Sequence, residues 1–215
     1  MGVTWTVDRR PITLRARLYV GWMRLMRDKQ AFEGPERTLR TARERQADGN
    51  RPPTWLTRRL ARVRRLQQED MTVWVVEPRR TPPTGTVVYL HGGGYVHPLT
   101  VDYWRLVRAL VGSGTRVVVP VYPLAPDATV DDVLPRLTAL TAKVSGEHPC
   151  VLMGDSAGGA MVLGVARALR GEPVDLRGVV ALCPWLDATL DEASVRDLEP
   201  TDPMRAESGL RSAGR

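Results

Sequence analysis

Gly154-Asp155-Ser156-Ala157-Gly158-Gly159 carries more chemistry than any other stretch of this chain. It follows the apolar run Cys150-Val151-Leu152-Met153 and precedes an alanine- and leucine-rich run, which puts the serine on a tight strand-to-helix turn. Such a turn strains the serine backbone, and glycine at positions 154 and 158 lets strand and helix approach closely enough to make it. The Ser156 hydroxyl then stands free at the end of a sheet as a nucleophile, while Asp155 reads as a brace for the turn rather than a proton carrier. A second cluster, His91-Gly92-Gly93-Gly94, lies sixty-three residues before Gly154. A loop without side chains can aim bare N–H groups at an oxyanion, so the two clusters together suggest acyl transfer. All three histidines, His91, His97 and His148, precede Ser156.

These groups need a scaffold to hold them. From residue 72 onward short apolar runs alternate with helical periodicity: strands are predicted at 72–76, 86–90, 116–119, 150–153 and 177–182, and helices at 101–111, 130–144 and 157–169. That alternation implies right-handed crossovers and an α/β fold, a mostly parallel sheet with helices on both faces. The first seventy residues read as helices, with Leu14, Leu18, Trp22, Leu25 and Met26 spaced for one apolar face. The arginine-rich run 58–66 reads as helical too, with Leu56, Leu60, Val63 and Leu66 on one face. The chain thus divides into an N-terminal helical cap, 1–70, and an α/β domain, 71–215.

Four segments in order, His91-Gly92-Gly93-Gly94-Tyr95, Tyr122-Pro123-Leu124-Ala125-Pro126, the elbow 154–159 and Pro184-Trp185-Leu186-Asp187, resemble the hormone-sensitive-lipase-type esterases of the α/β-hydrolase fold. The resemblance implies Ser156 as nucleophile and the N–H groups of Gly93, Gly94 and Ala157 as oxyanion donors. Gly92, Gly154, Asp155 and Gly158 support them, and His91 orients the oxyanion loop from beneath. It implies a small carboxylic ester as substrate, cleaved through an acyl-enzyme with no metal and no cofactor. The cap would line the acyl pocket, with Trp22, Met23 and Met26 as candidate wall residues. Pro123 and Asp127 stand where the family pattern has arginine and glutamate, which weakens local bracing. His97 and His148 read as surface or loop histidines.

The resembling family takes its acid and its base after the nucleophile, yet only 59 residues follow Ser156. A helix and a strand use nearly half of these, and each further crossover unit needs roughly 30 residues. Asp202-Pro203-Met204-Arg205 looks like the acid's segment but comes too soon after Pro184-Trp185, so Asp202 reads as a loop residue opening a final helix. The expectation is an esterase truncated or frame-shifted ahead of its acid and base, impaired in activity, with its last strand an open sheet edge. The alternative is a non-catalytic binding or interaction protein on the same scaffold. A chymotrypsin-like order of His, Asp and Ser is disfavoured because helices and strands alternate.

Composition narrows the partners. A chain of 215 residues that is 43% hydrophobic can bury one core. The net charge of +7 rests almost wholly on arginine, but Glu69 and Asp70 close the basic run and no aromatics interleave, which suits a solvated face better than a nucleic-acid site. Arginine breaks the longest apolar stretches, as in Leu14-Arg15-Ala16-Arg17-Leu18, so no integral membrane segment is expected and the cytoplasm is the expected compartment. Cys150 should open one strand and Cys183 close its neighbour, roughly 10 Å or more apart, as core thiols rather than a disulfide.

Overall fold

Valine-rich runs can enter a core only if their backbone groups are paired, and here they pair into one six-stranded sheet. The computed structural model describes residues 3–26, 28–146, 148–191, 197, 200–204 and 206–214. Its strands are β1 (Ala61–Gln68), β2 (Met71–Pro78), β3 (Thr86–Leu90), β4 (Arg116–Val121), β5 (Cys150–Asp155) and β6 (Leu176–Leu182), in the order β1-β2-β4-β3-β5-β6. Strands β4, β3, β5 and β6 are mutually parallel, and β2 runs antiparallel to both β1 and β4. Between them lie α4 (Tyr103–Gly112), α5 (Val130–Ser145) and α6 (Ser156–Ala168). Trp104, Val107 and Val111 of α4 pack with Val87, Tyr89, Val117 and Val119 on one face of the sheet. Leu137 of α5 and Val162 and Val165 of α6 pack with Val88, Leu90 and Leu152 on the other. The expected α/β sheet with two covered faces is therefore present, and β3, buried at every residue, is its spine.

The N-terminal part comprises α1 (Leu14–Met26), a 3-10 turn (Asp28–Phe32), α2 (Pro35–Ala47) and α3 (Trp55–Leu60). The arginine-rich run departs from expectation, because its helix ends at Leu60 and residues 61–68 form β1, a hairpin partner of β2. The physical reason is a period of two that a helical wheel hides. Ala61 is buried and Val63 half-buried, while Arg62 and Arg64 face solvent, and Glu69 at φ +54° supplies the tight turn into β2. The arginines also protect an edge strand, since Arg64 pairs with Glu77 at 3.0 Å and Arg58 and Arg65 lie over the Trp74 ring.

At the opposite edge, no described strand lies beyond β6. Val179 and Ala181 reach the core, but Val180 and Leu182 are 40% and 39% exposed. The final helix, α7 (Glu207–Ala213), packs on α2 and the 3-10 turn instead of on this edge. Cys183, expected in the core, is accordingly exposed beside the open edge, while Cys150 is buried and burial raises its thiol to about 11. Backbone groups without a described strand partner, beside exposed Val180 and Leu182, should drive concentration-dependent association of this chain in light scattering. Val180→Lys combined with Leu182→Lys should suppress it, and a wild-type monomer melting in one transition above about 50 °C would count against this expectation.

Candidate active site

Ser156 sits at φ +51°, a left-handed backbone that a serine adopts only when its surroundings impose it. The packing shows what imposes it. A Cβ on Gly158 would run into the carbonyl oxygens of Leu90 and His91, and one on Gly154 into those of Gly158 and Leu90. Strands β3 and β5 and helix α6 therefore meet backbone to backbone, and only glycine fits at the junction. Gly159 lies against Pro184, and the N–H of Trp185 donates to the Ser156 carbonyl at 3.0 Å, which pins the turn from the side of β6.

Asp155 links the turn to the glycine loop. Its carboxylate accepts from the N–H of Gly92 at 2.9 Å, from the Tyr89 hydroxyl at 2.6 Å and from the Tyr103 hydroxyl at 3.1 Å. Burial, reinforced by this carboxylate, raises both tyrosines well above their ordinary range, so they stay neutral donors. A side chain at Gly92 would collide with the Asp155 carboxylate. Beyond it the loop turns through Gly93 at φ +121°, Gly94 at φ +61° and Tyr95 at φ +64°, closed by the N–H of His97 donating to Gly93 at 2.9 Å. The elbow and the glycine loop, which the sequence separates widely, are thus brought together through one carboxylate.

His91 is fully buried beneath this loop. Its Nδ1 lies 2.7 Å from the Gly92 carbonyl oxygen, its ring stacks on Tyr122 at 4.4 Å, and the Tyr122 hydroxyl donates to the His91 carbonyl at 2.5 Å. His148 is half-buried before β5, about 25 Å along the strand from Ser156 at ordinary strand rise. His97, expected at the surface, is only 6% exposed, because the glycine loop folds it inward against Phe32, and neither ring nitrogen has a partner. No group of His, Cys, Asp or Glu among the described residues could hold a metal ion.

Burial, the main cause, pushes both His91 and His97 down to about 4; Gly92 and Asp155 oppose it at His91, and Arg45 adds to it at His97. An unfolded chain protonates these rings near 6.5, so between 6.5 and about 4 the unfolded state binds more protons than the fold. Stability from this source is therefore full above that window and is lost as pH falls through it. At about 1.4 kcal/mol per pH unit the loss is on the order of a few kcal/mol. Thermal melts should fall between about pH 7.5 and pH 5, and His97→Leu should shrink the difference; an unchanged difference would refute the assignment to His97.

A largely apolar cleft of about 490 Å³ is lined by Tyr95, Tyr122, Met161 and, from α2, Thr38 and Leu39; it reaches Tyr95, the neighbour of Gly94, but Ser156 does not line it. From the first seventy residues, α2 contributes Thr38 and Leu39 to this cleft, and the described residues of α1 contribute nothing. Trp22 is half exposed on α1, Met23 is buried away from the cleft, and the Met26 side chain lies outside the described residues. Sequence reasoning also missed Tyr89, Tyr103 and Gln46, whose amide donates at 2.8 Å to the carbonyls of both Val96 and Ala125. A tyrosine within the otherwise aliphatic strand 86–90 was the one available signal. Asp127 pairs with Arg43 of α2 at 2.8 Å, so the departure from the family's glutamate still ties the loop to the cap.

The sequence model of the alpha/beta hydrolase fold family matches residues 87–212. The chain is 32% identical over 168 residues to a triacylglycerol lipase of Mycobacterium tuberculosis, covering 73% of this chain and 38% of that protein. It is 33% identical over 105 residues to the carboxylesterase/phospholipase LipF of the same species, covering 46% and 28%. The chain spans less than half the length of the curated relatives it matches. Among solved structures, an esterase from the bacterial hormone-sensitive lipase family superposes with a TM-score of 0.69 at 24% identity, covering 95% of this chain and 69% of that one. These relatives are lipases and esterases by name, in line with the motif resemblance. With more than half of its length matched by the family model, the chain belongs to the α/β-hydrolase fold family.

Proposed function

We propose that this chain carries the nucleophile half of a carboxylic ester hydrolase. The observation that supports this best is the Asp155 clamp, which fixes Ser156 and the Gly92-Gly93-Gly94 loop to one another. Ser156 would attack the ester carbonyl and pass its proton to a histidine base, which the family resemblance places after the nucleophile and which these 215 residues do not supply. The N–H groups of Gly93, Gly94 and Ala157 would receive the developing oxyanion, each donor worth about 3 kcal/mol in the transition state. The first turn of α6 adds its dipole at the same point. The alcohol departs with that proton and leaves an acyl-enzyme, which water, deprotonated by the same base, then cleaves. This route uses protein groups alone, and the apolar cleft beside Tyr95 suits a small acyl or alcohol group. Two free cysteines fit action in the cytoplasm, and no helix among the described residues is long and apolar enough to cross a membrane.

The test is a chimera joining residues 1–186 to the C-terminal third of the superposed hormone-sensitive-lipase-family esterase, where the family resemblance implies a downstream acid and histidine. It should hydrolyse a short-chain nitrophenyl ester, and Ser156→Ala should abolish this. Turnover that survives Ser156→Ala, or none in a folded chimera, would reject the assignment. A second reading, a binding protein on this scaffold, is favoured by the burial of His91, which keeps that ring from acting as a base. Saturable binding of an ester at the cleft by the chain itself, without turnover, would support it.

A further inference from the structure

We infer that α1 is a peripheral docking element that lays its outer face on an anionic lipid surface. The helix does what its periodicity predicts, but its apolar face is turned away from the protein. Leu14 is 71% exposed, Leu18 65%, Leu25 73% and Trp22 50%, whereas Met23, on the opposite side, is the one described α1 side chain that is buried. At 3.6 residues per turn the four exposed residues share a single arc, with Tyr19 at its margin. The segment leading into the helix extends the same surface, with Trp5, Val7 and Ile12 all exposed. An ordinary cap helix would bury this stripe on its own domain.

Charge selects the occupant. Residues 3–26 carry Arg9, Arg10, Arg15, Arg17 and Arg24 against the single acid Asp8, which is held by Arg10 at 2.9 Å. Leucine and tryptophan on one arc with arginines around them is the composition of helices that lie in a membrane interface. There the apolar side chains enter the acyl boundary and the guanidinium groups reach lipid phosphates. A second copy of this chain is a poor occupant, because a symmetric contact through this face would set the same arginines against each other. Arg64 and Arg65 of β1 lie in a separate patch, engaged with Glu77 and the Trp74 ring.

Flotation of the full chain with vesicles tests this and separates bound protein from self-associated protein. The chain should float at least tenfold more with phosphatidylglycerol-containing vesicles than with pure phosphatidylcholine, and high salt should release it. Leu18→Glu with Trp22→Glu should reduce flotation at least tenfold at unchanged circular dichroism and melting temperature. Arg62→Gln with Arg65→Gln should leave it intact. The proposal is overturned by absence of flotation, by equal flotation on both lipids, or by retention in the α1 variant. It is equally overturned if the α1 variant changes only the oligomeric state on gel filtration.

Discussion

Purified as it stands, the 215-residue chain is expected to hydrolyse p-nitrophenyl acetate about a millionfold more slowly than a serine hydrolase with its base in place. The nucleophile is positioned, but no histidine follows it, and the three that precede it are accounted for. His91 is fully buried with its ring between Gly92 and Tyr122, His97 is closed against Phe32, and His148 lies at the far end of β5. Without a base the serine proton has no acceptor in the transition state, so only oxyanion stabilisation and binding remain, roughly a thousandfold over water. The measurement is initial-rate hydrolysis by wild type and Ser156→Ala, which should both lie near background. Robust wild-type turnover that disappears in Ser156→Ala would overturn the expectation and point to an upstream histidine as the base.

The largest stability effect is expected from Gly158→Ala. An added methyl would overlap the carbonyl oxygens of both Leu90 and His91, backbone atoms that cannot swing aside as a side-chain end can. Strand β3 and helix α6 would have to separate, at a cost at or above about 3 kcal/mol. For a chain of this size that lowers the melting temperature by roughly 6–12 °C. The change should also undo the geometry of the Ser156 turn, so a chimera made active by a downstream histidine would lose turnover along with stability. Gly178→Ala is the control, since nothing lies within 4 Å of the added methyl, and its effect should stay within about 0.5 kcal/mol. Equal melting temperatures for Gly158→Ala and wild type would show that the junction is looser than its contacts indicate.

Local chemistry decided part of this protein. The elbow and the glycine loop were legible because each requirement is met within a few consecutive residues: glycine where backbones touch, a serine at the turn, apolar runs before and after. The strands of the parallel sheet were legible for the same reason, as short apolar runs bounded by turns, and β3 is buried at every residue. Tertiary structure decided what depends on partners distant in sequence. Residues 61–68 became a strand because β2 offers an edge, an advantage that local helix periodicity cannot weigh. His97 went inside because the loop at Gly93 folds back on it, and Cys183 stayed outside because no described strand lies beyond β6. The union of Asp155 with Gly92, Tyr89 and Tyr103 spans more than fifty residues in every case, and hydrogen bonds of that range leave no periodic trace in a chain. Nor could spacing alone say which way α1 turns its leucines: the stripe is legible in the sequence, but only the fold decides whether a core or solvent meets it.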